Sequence, residues 1–153
     1  LLVCDKGYLP HPSLFLSAYF ERHRDQYMDC LLNVSRAGDW QGWTDFFLDA
    51  VAEEAQDAIR RSQDLLDLQQ AFRESLQTPR VPALSLQLID CLFEAPAITM
   101  GFVRDRLGVT AKTAQLHIDR LLAAGILVET TGQSRNRIYL APAIMEIFQT
   151  DIG

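Results

Sequence analysis

The residues of this sequence whose types and spacing could bind a ligand lie on one face of a predicted helix. In the run VTAKTAQLHIDRLLAAG, residues 109–125, Thr110 is placed to cap a helix that begins at Ala111 and ends at Gly125. At about 100° per residue, the small and apolar residues fall on one side of this helix. The opposite side carries Lys112, Thr113, Leu116, Arg120 and Ala123.

Lysine, threonine and arginine on an exposed helical face are side chains that can contact duplex DNA. Lys112 can bind a guanine edge or a phosphate, Thr113 a base edge or a phosphate, and Arg120 a phosphate. Thr110, with the free N–H groups at the start of the helix, suits a backbone phosphate. The alternative is that Lys112 and Arg120 only keep an outer face solvated, and Asp119 beside them weakens its positive potential.

Leu116 lies at the centre of the same face and leaves two interpretations open. An exposed leucine there can contact a thymine methyl group. It can equally form part of a contact with another protein. The helix therefore predicts DNA binding, with protein–protein interaction or dimerisation without DNA binding as the alternative.

A second polar and basic segment follows in GILVETTGQSRNRIYLAPA, residues 125–143. Two β-prone runs, ILVET and RIYLA, flank a turn that Gly132 permits, which predicts a β-hairpin. Its tip carries Arg135, Asn136 and Arg137, side chains that fit contact with a phosphate or with the minor groove. Hairpin tips are often polar only because they lie in water, so the tip supports the DNA hypothesis without deciding it.

The elements around these two segments predict a winged helix-turn-helix domain. A helix over 83–95, a strand over 97–99 and a helix over 100–108 precede the candidate DNA-binding helix, and a further helix opens at Pro142. The predicted fold is therefore mainly α. It consists of a helical segment with a long helix, followed by a winged helix-turn-helix domain with a small β-hairpin.

The helical segment occupies the first half of the chain. Ser17 is placed to cap the first helix, Gly38 to end it and Asp39 to cap the next one. From Trp40 an apolar stripe continues to Phe72 without a proline, which predicts a helix more than about 50 Å long. A helix of that length usually packs on a partner or bridges domains, and we expect it to support a homodimer.

The opposite face of the long helix is expected to be solvated, and it carries Glu53, Glu54, Asp57, Arg60, Arg61 and Asp64. The segment TPRVP, residues 78–82, ends the helix and marks a domain boundary. The predicted organisation is a helical segment over 1–78, a linker over 79–82 and a winged helix-turn-helix domain over 83–153.

Charge is divided unevenly between these parts. The chain of 153 residues has a formal net charge of −6. Residues 1–80 hold 8 Lys and Arg against 13 Asp and Glu, a net of −5, whereas residues 81–153 hold 6 against 7, a net of −1. This balance argues against nucleic-acid binding by the first half and leaves the second half open. No stretch is apolar for the length of a membrane span.

Other residues suggest neither a metal site nor a catalytic site. Cys4, Cys30 and Cys91 are far apart and include no CxxC pair, so they are expected to be reduced and mostly buried. His23 is expected on a solvated face, and His117 is expected to contact DNA or solvent from the flank of its helix.

The sequence also resembles a known family along nearly its whole length. LGVTAKTAQLHIDRLLAAGILVETTGQSRNRIYLAP resembles the C-terminal winged helix found behind the catalytic domain of many bacterial Fic-family proteins (filamentation induced by cAMP). PSLFLSAYFERHRDQYMDCLLNVSRAGDWQGWTDFFLDAVAEEAQDA is similar to the helices that follow the family's catalytic loop, and Ser17–Arg24 and Gly38–Leu48 are its most specific phrases. The resemblance implies a regulatory, DNA-binding module of a cytoplasmic protein that transfers AMP from ATP onto protein hydroxyls.

The resemblance further implies that this chain alone is not an enzyme. The family's catalytic loop, His-Pro-Phe-x-x-Gly-Asn-Gly-Arg, is absent, because His11-Pro12 is followed by Ser13 and no Gly-Asn-Gly-Arg. A chain that begins LLVC resembles a fragment whose catalytic loop lies upstream. We expect no catalytic residue, metal or cofactor here, and ATP with Mg²⁺ in the missing Fic domain. The expected partners are double-stranded DNA, a second copy of the chain and that domain, with no membrane.

Overall fold

The computed structural model describes residues 16–76, 82–133 and 135–149. The chain divides into two compact units, Leu1–Ser62 and Gln63–Gly153, and the division falls within the long helix. The predicted linker over 79–82 lies outside the described residues except for Pro82, so the predicted domain boundaries stay predictions. Within the described part, every helix is too short or too polar to cross a membrane.

The first unit is built from helices, the last of which continues past its end. The helices are α1 (Leu16–Arg22), α2 (Arg24–Ala37) and α3 (Trp40–Ser75). Gly38 ends α2 in the left-handed conformation at φ 68°, and the Gly42 N–H donates to Asp39 Oδ1 over 3.0 Å. Both predicted signals are therefore confirmed. The prediction for Ser17 is wrong, because this residue lies inside α1 and not at its cap.

A small aromatic core holds the first unit together. Tyr19, Phe46 and Ala50 are buried, and Phe20 and Trp43 pack around them. Glu54 corrects a prediction, since it is 2% exposed and not on the solvated face. Its Oε1 accepts a hydrogen bond from Arg22 Nη2 over 2.8 Å, which supplies the partner that a buried carboxylate requires.

The second unit has the element order of a winged helix-turn-helix domain. After the last turns of α3 come α4 (Ala83–Glu94), β1 (Ala97–Thr99), α5 (Met100–Leu107), α6 (Ala111–Ala123), β2 (Val128–Glu129), β3 (Ile138–Leu140) and α7 (Pro142–Gln149). The strands form an antiparallel sheet in the order β1-β3-β2. The predicted mainly α fold with a small hairpin is confirmed.

The core of the second unit is mainly aliphatic and is formed by residues from its helices and from its sheet. Leu88 and Leu92 of α4, Val103 of α5 and Ile118 and Leu121 of α6 are fully buried. Residues from the sheet, from α7 and from the end of α3 complete the same cluster: Ile98, Tyr139, Ile144 and Phe72. This packing fixes α6 and the hairpin on one scaffold.

Candidate nucleic-acid interface

Helix α6 begins and ends where local signals place it. The Thr110 Oγ1 accepts a hydrogen bond from the Thr113 N–H over 3.3 Å and lies 3.0 Å from the Thr113 hydroxyl. Gly125 follows the helix at φ 71°, a conformation that glycine adopts without strain. The predicted cap is therefore confirmed, and the Thr110 hydroxyl is engaged in capping.

The exposed side of α6 forms a shallow surface that we call the α6 surface. Its volume is about 480 Å³. Its lining consists of Lys112, Thr113, Gln115, Leu116 and Asp119. The structure thus brings together three of the predicted residues and adds Gln115, which the sequence analysis missed. Leu116 is 50% exposed, although its neighbour Ile118 is fully buried.

The hairpin between β2 and β3, which we call the wing, is held by its own hydrogen bonds. Glu129 accepts hydrogen bonds from the Thr131 side chain, from the Thr131 N–H (2.8 Å) and from the Gly132 N–H (3.0 Å). These bonds and the nearby Arg137 guanidinium hold the pKa of Glu129 below its ordinary value. Arg137 Nε also donates to the Gln133 carbonyl over 2.8 Å. Hydrogen bonds within the hairpin therefore stabilise the turn of the wing.

A groove lies between the wing, α6 and the start of α5, and we call it the wing groove. Its volume is about 630 Å³. The lining residues are Thr99, Met100, Gly101, Gln115, Arg135, Asn136, Arg137 and Tyr139. Gln115 lines both this groove and the α6 surface. All three predicted wing residues therefore lie next to the candidate helix.

The lysine and arginine residues that the structure describes in the second unit fall into two electrostatic classes. Three are in salt bridges, in the pairs Arg73–Asp90, Arg104–Asp105 and Arg106–Glu94. The other four form no salt bridge with any residue that the structure describes: Lys112, Arg120, Arg135 and Arg137. Three of these four line the α6 surface or the wing groove. Three cations without salt bridges to described residues therefore lie where the DNA contacts are predicted, although the carboxylates of Asp119 and Glu129 are nearby.

Arg120 and His117 differ from expectation. Arg120 lines neither the α6 surface nor the wing groove, and its Nη1 is buried without a hydrogen-bond partner among the described residues. The prediction for His117 is wrong, because its side chain is buried and its Nδ1 lies 2.8 Å from Ser85 Oγ. Burial, with a smaller effect of Arg120, lowers the pKa of His117. This flank of α6 therefore serves packing against α4.

No protein-family profile matches the chain. The fold places the candidate residues on α6 and on the wing. Gln115 could have been found only by knowing where the wing lies, since it is on the border between the exposed and buried sides of α6. The helical spacing alone did not distinguish it from a neighbour of the core.

Proposed function

We propose that the second unit binds double-stranded DNA through the α6 surface and the wing groove together. The observation that carries the proposal is which cations form salt bridges and which do not. Lys112, Arg135 and Arg137 line these two adjoining surfaces without salt-bridge partners among the described residues, whereas Arg73, Arg104 and Arg106 are in salt bridges elsewhere in the unit. Unpaired cations on a protruding helix and wing are suited to phosphates, which carry most of the affinity of such complexes.

In this proposal the start of α6 enters the major groove and the wing contacts the flanking backbone or minor groove. Lys112 and Thr113 lie in the first turn of α6, where side chains reach base edges or phosphates. Arg135 and Asn136 are exposed at the wing. The proposal gives Arg120 a lesser role, because it lines neither surface.

Fluorescence anisotropy with pooled duplexes tests the proposal over about 50–200 mM salt. We expect binding that weakens steeply with salt. Replacing Arg135 and Arg137 together with alanine should lower both the affinity and the slope of its salt dependence by about two phosphate contacts. The matched control is Arg104→Ala with Arg106→Ala, which removes the same charge from paired cations. Absence of duplex binding at low salt would contradict the proposal.

The second candidate function is a protein contact through the α6 surface. It is favoured by Leu116, whose half-exposed side chain lies among the residues of that surface. Leu116→Glu should abolish capture of a protein partner if this function is correct. If the variant loses DNA binding while self-association and partner capture persist, the protein-contact function is excluded.

We also propose a homodimer formed along α3 in the first unit. Leu48 and Ile59 are 56% and 60% exposed, and Ala52 and Ala55 lie between them. The spacing of these four residues, four then three then four, is that of a coiled-coil seam, which a second copy of the helix can cover. Sedimentation should give a dimer that Leu48→Glu with Ile59→Glu converts to monomer, and a wild-type monomer at high concentration would contradict this.

The family resemblance supports a wider proposal, that the module regulates a bacterial cytoplasmic Fic-family AMP transferase. The two segments that carry the resemblance most specifically are Ser17–Arg24 and Gly38–Leu48. They contain Tyr19 and Phe46 of the aromatic core and Gly38, which ends α2. In this proposal the catalytic residues, ATP and Mg²⁺ belong to a Fic domain encoded by the same gene, and the residues of this chain carry out no catalysis. The upstream reading frame tests it, because a gene without the His-Pro-Phe-x-x-Gly-Asn-Gly-Arg loop would not encode an active transferase.

A further inference from the structure

Gln115 is the residue common to the α6 surface and the wing groove. Its Nε2 donates a hydrogen bond to Asp119 Oδ1 over 2.7 Å, one helical turn further along. Among the described residues, this is the hydrogen bond that the Gln115 side chain makes. The side chain is therefore held at a defined place on the face of α6, and the rest of its amide is available to a ligand.

The chemistry of the pair fixes which way the amide points. A carboxylate only accepts hydrogen bonds, so Gln115 must present its NH₂ group to Asp119. One N–H is used in that bond. When the N–H trans to Oε1 makes that bond, the second N–H and Oε1 lie on the same edge of the amide and present one donor beside one acceptor.

A neighbouring donor and acceptor are what the major-groove edge of adenine requires. Adenine offers N7 as an acceptor and its N6 amino group as a donor, and glutamine can satisfy both at once. Guanine offers two acceptors there, which the oriented amide cannot match. The next residue, Leu116, is half-exposed and apolar, as contact with a thymine methyl group requires.

We propose that Gln115 determines sequence specificity by recognising the adenine of an A·T base pair, and that Asp119 is the positioning residue that orients its amide. Leu116 then contacts the methyl group of a thymine in the same or the adjacent pair. The inference rests on the proposed DNA-binding function. It goes beyond that function because phosphate contacts from Lys112, Arg135 and Arg137 favour no sequence.

Selection from random duplexes with the full chain, followed by affinity measurements, tests the inference. The wild-type protein should enrich an A·T pair at one position of its site. Gln115→Ala should reduce the preference for that pair by about 5- to 150-fold, the range expected for loss of one bidentate base contact. Its affinity for unrelated duplexes should stay unchanged, because no phosphate contact is removed.

Asp119→Asn separates positioning from mere packing. An asparagine can donate as well as accept, so the Gln115 amide is no longer held in one orientation. We expect weaker discrimination in favour of adenine together with tighter binding to unrelated duplexes, since a negative charge is removed beside the DNA. A purely structural role for Asp119 would not move these two measurements in opposite directions.

Modified bases test the contact at the level of single atoms. Replacing the selected adenine with 7-deazaadenine removes the N7 acceptor, which should weaken the wild-type protein but not Gln115→Ala. Replacing the thymine with uracil removes its methyl group and should have an effect only while Leu116 is present. If wild-type affinity is unchanged by 7-deazaadenine, the inference is overturned.

Different measurements would contradict DNA binding by the chain and base recognition by Gln115. If the wild-type chain binds no duplex, the proposed function fails. If it binds duplexes in a salt-dependent way without preferring A·T, or keeps that preference in Gln115→Ala, only the inference about Gln115 fails. Enrichment of a cytosine that depends on Asp119 also overturns it, because a carboxylate can itself accept from the cytosine amino group.

Discussion

The two units of this chain differ in the composition of their cores and in the polar groups that these cores bury. The first has a small core in which aromatic rings dominate, and it buries a carboxylate, Glu54, against Arg22. The second has a larger, mainly aliphatic core, and the polar group buried in it is the His117–Ser85 pair. One unit thus buries a charge with its counter-charge, and the other buries a neutral hydrogen-bonded pair.

This difference bears on where each unit can interact. The second unit covers the inner side of α6 with its own elements and leaves an outer side on which Leu116 is surrounded by polar residues. The first unit leaves large apolar side chains in water: Met28, Leu32, Trp40, Leu48 and Ile59. The exposed side chains of Leu48 and Ile59 at coiled-coil spacing are the reason why we propose that a second copy of the chain packs on the first unit. The cations without salt bridges around α6 and the wing are the reason why we propose DNA binding by the second unit.

The largest expected effect is loss of the aliphatic core of the second unit. Leu121→Ala removes a fully buried side chain of α6 and should lower the free energy of unfolding by about 2–5 kcal/mol. Urea denaturation followed by circular dichroism measures the change, and hydrogen exchange locates it in peptides of the second unit. Leu116→Ala is the matched control on the same helix. Because that side chain is half-exposed, an equal loss in both variants would contradict the assignment of the core.

The next effect tests the buried charge of the first unit. Arg22→Ala leaves Glu54 buried without its hydrogen-bond donor, and we expect a loss of about 1.5–3 kcal/mol, the range for hydrogen bonds to charged groups. Arg60→Ala is the control, since Arg60 and Asp57 form an ion pair one helical turn apart with a well-exposed arginine, and such pairs contribute about 0–1 kcal/mol. Fluorescence of Trp43, which packs on the same core, follows the unfolding. Similar losses in both variants would show that Glu54 needs no partner.

Features that depend on residues adjacent in the sequence could be predicted, whereas features that depend on residues far away in the chain could not. The Thr110 cap, the Asp39 cap and the Gly38 stop each depend on a few neighbouring residues, and all were predicted. Glu54 and His117 were misplaced because each is buried against a residue 32 positions away in the chain. Helical spacing identifies one side of a helix, but it does not tell which distant side chain covers the flank.

The candidate interface divides in the same way. Lys112, Thr113 and Leu116 could be predicted because they lie on the polar side of an amphipathic helix. Gln115 could not, because its place depends on the wing, which joins it to Arg135 in one groove. Arg120 lay at the predicted helical position, but the burial of its Nη1 atom was not visible from spacing.

A smaller effect tests the start of α6. Thr110→Ala removes the acceptor of the Thr113 N–H and should cost about 1 kcal/mol in unfolding free energy. Thr110→Ser keeps the acceptor and should restore most of it, as thermal denaturation can measure. Thr99→Ala makes the same change at the start of α5, where the Thr99 Oγ1 accepts a hydrogen bond from the Phe102 N–H over 3.2 Å. If Thr110→Ser is as unstable as Thr110→Ala, the hydroxyl does not act as a cap.

The smallest expected effect is confined to mildly acidic pH and distinguishes a neutral buried pair from a charged one. Burial beside Ser85, with the nearby Arg120, lowers the pKa of His117 below its ordinary value of 6.5. The unfolded chain therefore takes up a proton at a higher pH than the folded chain does. The stability that the neutral imidazole contributes is complete above about pH 6.5 and is lost as the pH falls from there toward the folded pKa.

Urea denaturation of wild-type protein and His117→Gln between about pH 5.5 and 7.5 measures this contribution. The glutamine variant cannot take up a proton, so its unfolding free energy should vary less with pH than that of the wild type. The wild type should lose stability relative to its value at neutral pH, with the hydrogen exchange of α4 and α6 peptides rising first. An identical pH dependence in the two proteins would mean that protonation of His117 is not coupled to unfolding. The contrast between the two buried polar groups would then rest on their geometry alone.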